Sequence, residues 1–144
     1  MSVAEILHKK GRKVISVPPT TSIMDAVARM RREMVGALVV SSDGRKIQGI
    51  MSERDVLNGL ASEGAALLEH KVLDIMTRRV EYCGPEDDTK EIMATMTQRR
   101  FRHMPVVDEN GLCGMISIGD IVKQRLEEAE IETSVAREAL IFSR

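Results

Sequence analysis

Two stretches of the chain carry side chains able to engage paired hydroxyl groups: Gly49-Ile50-Met51-Ser52-Glu53-Arg54-Asp55 and, 65 residues later, Gly114-Met115-Ile116-Ser117-Ile118-Gly119-Asp120. A fixed carboxylate accepts hydrogen bonds from two hydroxyls at once. A serine at a helix start adds its own hydroxyl beside free backbone amides. The same Ser-x-x-Asp pattern also starts helices with no ligand at all, the serine serving as N-cap and the carboxylate sitting at the third helical position. One copy would therefore say little. Two copies, each with a glycine and two apolar residues ahead of the serine, point to two related units.

Each copy needs a buried strand that runs straight into a helix, and the flanking sequence supplies both. Val3, Ile6 and Leu7 form a short amphipathic helix closed by Gly11, and Val14 to Val17 is a strand stopped by Pro18-Pro19. Ile23, Ala26, Val27, Met30 and Met34 recur at helical spacing, opposite Asp25, Arg29, Arg32 and Glu33. Val35 to Val40 has no polar interruption and reads as a buried strand. Ser42-Asp43-Gly44-Arg45 turns it into the strand Ile47 to Met51, and Ser52 opens the next helix.

After Ala61 to Lys71, a small, charged and glycine-containing linker with scope for partial helix, the order repeats. Val72, Ile75 and Met76 match Val3, Ile6 and Leu7; Val80 matches Val14 and Pro85 matches Pro19 at a spacing of 66. Ile92, Met93 and Met96 give the apolar helix face, Met104 to Val107 and Cys113 to Ser117 the strands, and Asp108-Glu109-Asn110-Gly111 the turn. A last helix from Asp120 carries Ile121, Val122 and Leu126, then an acidic run, then Val135, Leu140 and Ile141. It is too long for one small unit to cover, so the tail is expected to cross the other unit or a partner chain, the alternative being an exposed end.

The 144 residues suffice for one domain or two small units sharing a core. Only 2% are aromatic and none is Trp, which leaves the core to aliphatic side chains and 10 Met. A net charge of -1 gives no general attraction to nucleic acid or to an anionic membrane. Cys83 and Cys113 are isolated and read as reduced packing residues. With no signal-peptide core and no long apolar run, the cytoplasm is the expected compartment. His8, His70 and His103 lack metal-site spacing, phosphate-loop and nucleophile-turn motifs are missing, and Asp87-Asp88 sit at a helix start that explains them. The chain is expected to be neither an enzyme nor a metal protein.

Across Val3 to Val122 the sequence resembles the tandem cystathionine-beta-synthase (CBS) domain pair, or Bateman module. Val35-Gly36-Ala37-Leu38-Val39-Val40 with the first Ser-x-x-Asp stretch resembles one repeat, and Phe101-Arg102-His103-Met104-Pro105-Val106-Val107-Asp108 with the second resembles the other. The resemblance implies an α/β fold of two pseudo-symmetric repeats, each a small sheet with two packed helices, plus N-terminal and C-terminal helices. The repeats are set at residues 1–66 and 67–144.

It also implies a homodimer and a regulatory role. AMP, ADP, ATP, NAD(H) or S-adenosylmethionine would bind in clefts between the repeats, and occupancy would pass to an effector protein. Ser52 with Asp55 and Ser117 with Asp120 would hold ribose hydroxyls. Arg54, Arg102 and His103 are the phosphate candidates, since a guanidinium matches phosphate oxygens and an imidazole adds a donor or, if protonated, a charge. Lys9, Lys10, Arg12 and Lys13 face either a phosphate or water. Val17, Pro18, Tyr82, Cys83, Met104 and Pro105 are candidate adenine walls. The alternative is a dimerising interaction module whose clefts bind weakly or not at all.

Overall fold

The computed structural model describes residues 1–142; the last two positions of the second unit, Ser143 and Arg144, lie outside the described residues. The elements run α1 (Val3–Lys10), β1 (Ser16–Val17), α2 (Ile23–Glu33), β2 (Ala37–Val40), β3 (Gly49–Ser52), α3 (Glu53–Glu63), a 3₁₀ helix (Gly64–Glu69), α4 (Val72–Ile75), α5 (Thr89–Arg99), β4 (His103–Asp108), β5 (Gly111–Ser117) and α6 (Ile118–Phe142). In the first unit β1 pairs parallel with β2, and β2 pairs antiparallel with β3. The second unit repeats the hairpin as β4 and β5, with a bulge between Val106 and Val107.

The strand expected from Val80 shrinks to one parallel bridge between Cys83 and Val106. Cys83 N–H donates to the Pro105 carbonyl and its own carbonyl accepts from Val107 N–H, at 3.0 and 2.8 Å. Pro85 has no N–H with which to continue the ladder. The bridge still falls 66 residues after the equivalent pair, Val17 with Val40. The same spacing relates the ends of α2 and α5, where Met34 and Arg100 both take left-handed backbone angles, φ 56° and 60°.

The hydrophobic cores cross the boundary at residue 66. α1 buries Val3, Ile6 and Leu7 among Ile92, Met96, Met104, Ile116 and Ile121 of the second unit. α4 buries Val72, with Ile75 and Met76 packed alongside, among Ala26, Leu38 and Met51 of the first. Each helix docks through the same three backbone bonds. Val3, Ala4 and Thr89 N–H donate to the carbonyls of Asp87, Pro85 and Met1, while Val72, Leu73 and Ile23 N–H donate to those of Thr21, Pro19 and His70. The units are therefore tied by exchanged helices.

The expected linker is ordered: α3 extends to Glu63, and the 3₁₀ helix that follows buries Leu67 completely, against Gly59. α6 packs through Ile121 and Gln124, and Lys9 of α1 reaches its Glu127 at 3.3 Å. Beyond Glu128 the helix is exposed up to Phe142. No helix among the described residues is long and apolar enough to cross a membrane.

Candidate functional site

In both repeats the last strand residue is also the N-cap, and this fixes the Ser-x-x-Asp group. Ser52 is paired with Ala37 and Ser117 with His103. The first helical N–H is tied to the start of the neighbouring strand, Glu53 donating to the Gly36 carbonyl at 3.0 Å and Ile118 to that of Arg102 at 2.9 Å. Asp55 N–H donates to Ser52 Oγ at 3.3 Å, while Ser52 N–H returns a bond to Asp55 Oδ2 at 2.9 Å. The second copy has the same reciprocal pair, Asp120 N–H to Ser117 Oγ at 3.1 Å and Ser117 N–H to Asp120 Oδ2 at 2.8 Å. Each carboxylate thus caps its helix through one oxygen. Asp55 Oδ1, among the described residues, receives the Thr77 hydroxyl at 3.4 Å.

The second carboxylate has a further partner. Lys10 Nζ donates to Asp120 Oδ2 at 2.7 Å and to the Met115 carbonyl at 2.9 Å. His103 lies between the two copies. A Cβ on Gly36 would sit 2.7 Å from Glu53 Oε1 and 3.1 Å from His103 Nε2, so these side chains share one small space. Burial, then the Lys10 charge, hold the His103 imidazole below its usual pKa of 6.5, against the opposing pull of Glu53 and Asp120. The balance favours the neutral imidazole over the protonated one.

The other sequence candidates separate by burial. Arg54 is exposed and spans the units, donating from Nη1 to the Arg100 carbonyl at 2.9 Å; Arg102 is exposed. Val17, Cys83, Met104 and Pro105 are buried, so as adenine walls their side chains are already committed to packing. Desolvation also pushes the Cys83 thiol up to about 12, in keeping with an inert packing residue. Pro18 and Tyr82 are exposed. Tyr82 lines a cavity of about 560 Å³ with Arg45, Arg78, Val80 and Val107, at the hairpin-turn end of the strands and thus opposite Ser52 and Ser117. A second cavity, of about 510 Å³, lies between α2 and α3 and reaches Gly36 and Glu53, beside the first Ser-x-x-Asp group. No group of three or more metal-ligating side chains occurs among the described residues.

Sequence reasoning overlooked Thr77 and Glu53 and left Lys10 among four basic residues. Lys10 comes from the exchanged helix α1 and Thr77 from just beyond the exchanged helix α4, and only the packing brings them to the site. The basic last turn of α1 was the one available signal.

Two α/β units, interlocked by exchanged helices and each presenting a capped Ser-x-x-Asp group at a strand-to-helix junction, define a tandem-repeat architecture. The chain belongs to the CBS domain family, which it matches twice, over residues 3–62 and 72–127. It is 33% identical over 135 residues to the mitochondrial CBS domain-containing protein CBSX3 of Arabidopsis thaliana, covering 88% of this chain and 66% of that protein's length. A crystal structure of a CBS-domain containing protein from Agrobacterium tumefaciens is 40% identical, with a TM-score of 0.84 over 87% of this chain and 99% of the other. A CBS domain protein of Pyrobaculum aerophilum complexed with AMP is 25% identical, with a TM-score of 0.76 over 92% of this chain and 99% of the other.

Proposed function

We propose that the chain is a regulatory sensor that binds an adenine nucleotide or related adenosyl ligand beside Ser52 and Asp55 and beside Ser117 and Asp120, and passes occupancy to a separate effector protein. The observation that carries this reading is the duplication of one geometry: in both repeats backbone bonds hold a carboxylate at a helix start, ready to accept from ribose hydroxyls. The AMP complex of the Pyrobaculum relative supports the ligand class. AMP, ADP and ATP are the first choices, with NAD(H) and S-adenosylmethionine next, because a ribose clamp does not read what lies beyond the ribose. Arg54, Arg102 and neutral His103 are assigned to phosphates. The adenine ring is assigned to the strand ends beside Val17, Cys83, Met104 and Pro105, with Pro18 as an exposed wall; Tyr82, facing the cavity at the hairpin-turn end, is not assigned to it. Regulation requires different ligand affinity in two arrangements of the units.

Titration calorimetry with that panel tests the reading on the wild type, Asp55→Ala and Asp120→Ala. Selective loss of one binding event in each variant supports it. No binding by the wild type, or equal affinity in all three proteins, removes the ribose roles.

A second reading, a dimerising interaction module, is favoured by apolar side chains left uncovered on the helices: Met34, Leu57, Leu126, Ile131 and Val135. We infer a homodimer in either case. Light-scattering mass with and without ligand checks it, a monomer at all concentrations being the contrary result.

A further inference from the structure

Asp55 and Asp120 occupy equivalent capping groups yet meet different partners, and the difference arises from helix length. α1 and α4 dock through matching backbone bonds, but α1 continues to Lys10 while α4 stops at Ile75. The extra turn delivers the Lys10 ammonium to Asp120 Oδ2 at 2.7 Å, with the Met115 carbonyl at 2.9 Å as its second acceptor. At Asp55 the neutral Thr77 hydroxyl stands in that role, and among the described residues no cation pairs with Asp55.

Resting on the ribose-binding reading above, we propose that Lys10 gates the Asp120 cleft and makes it selective for phosphorylated adenosyl ligands over uncharged adenosine and over a sulfonium-bearing one. Ribose hydroxyls and the ammonium compete for the same carboxylate. When the two hydroxyls of a ribose take both Asp120 oxygens, the ammonium is displaced from Oδ2 and keeps only a backbone carbonyl. A phosphate on the same ligand replaces that partner, within reach of a flexible four-carbon arm. Adenosine offers no such anion, and a sulfonium adds a like charge. The Asp120 carboxylate is only 23% exposed, so the competition takes place partly out of water, while Lys10 is 39% exposed. The Asp55 cleft has no ammonium to displace and lacks this selection.

The test is calorimetry with AMP, adenosine and S-adenosylmethionine on the full chain. Asp55→Ala isolates the Asp120 cleft and Asp120→Ala isolates the Asp55 cleft, each with Lys10 intact, as Lys10→Met and as Lys10→Arg. In the Asp55→Ala background the preference for AMP over adenosine falls about tenfold in Lys10→Met, with adenosine binding tighter and AMP weaker, and returns in Lys10→Arg. In the Asp120→Ala background the ratio stays put. An unmoved ratio in the first background, or an equal shift in both, overturns the gate while leaving ribose binding in place. Failure of the wild type to bind any of the three ligands defeats the ribose reading and the gate together.

Discussion

Leu7 of α1 lies so close over Gly114 of β5 that a Cβ there would fall 2.8 Å from Leu7 Cδ2. The first repeat has the same relationship, a Cβ on Gly49 meeting Met76 Sδ at 2.7 Å and the Thr77 carbonyl at 2.9 Å. The glycine of each motif thus exists for the exchanged helix crossing above its strand. Gly114→Ala is expected to cost about 1–3 kcal/mol, since Leu7 is buried and must leave its rotamer. Gly49→Ala is expected to cost more, because the Thr77 carbonyl is backbone and is held by Ile50 N–H. Urea denaturation checks both, and a wild-type midpoint for either variant contradicts the close approach.

His103 predicts a pH dependence. Burial and Lys10 lower its folded pKa below the unfolded value of 6.5, whereas Glu53 and Asp120 resist. The fold thus favours the neutral ring. Its stability contribution is whole above the unfolded pKa and is lost as pH falls through 6.5 and on through the folded value, because the unfolded chain binds the proton first. His103→Gln should therefore lose less stability than the wild type between about pH 7.5 and about pH 5. Parallel denaturation curves at the two pH values check this, and identical losses refute the assignment.

The sequence repeat made the strand and helix order legible because periodicity, turn residues and the Ser-x-x-Asp starts are all local signals. Which helix belongs to which core was not local. Val3, Ile6 and Leu7 have the same pattern wherever they dock, and only the backbone bonds to Pro85 and Asp87 place them on the second unit. That is why Lys10 stayed one of four basic residues and Thr77 drew no notice. The adenine-wall residues meet a related limit: strand-end apolar residues look alike in sequence whether they line a cleft or, like Cys83 and Met104, fill a core.

Gln124 gives a prediction in the opposite direction. It is 6% exposed on α6, one turn after buried Ile121, and neither Oε1 nor Nε2 has a partner among the described residues. A buried amide without hydrogen bonds costs about 1–3 kcal/mol. Gln124→Met keeps the length and removes the polar atoms, so it should stabilise the fold by a good part of that amount. A lower thermal midpoint for the variant would mean that the amide is satisfied in solution.

The left-handed residues that end α2 and α5 allow a similar gain. Met34 has φ 56° and ψ 45°, and Arg100 has φ 60° and ψ 44°. A Cβ in this region costs roughly 1–2 kcal/mol, and glycine is the usual solution at a helix end. Met34 is 90% exposed, so its side chain contributes little packing that a substitution could remove. Met34→Gly relieves the backbone but frees the unfolded chain, and the net stabilisation expected is about 0.5–1 kcal/mol. Met34→Val makes the opposite change, since a β-branched residue is worse still in this conformation. Arg100→Gly should gain as much, because the bond from Arg54 falls on the Arg100 carbonyl, which glycine keeps. Urea midpoints in the order Gly, Met, Val at position 34 support the argument. A valine variant as stable as the glycine one shows that the helix end does not hold the left-handed conformation in solution.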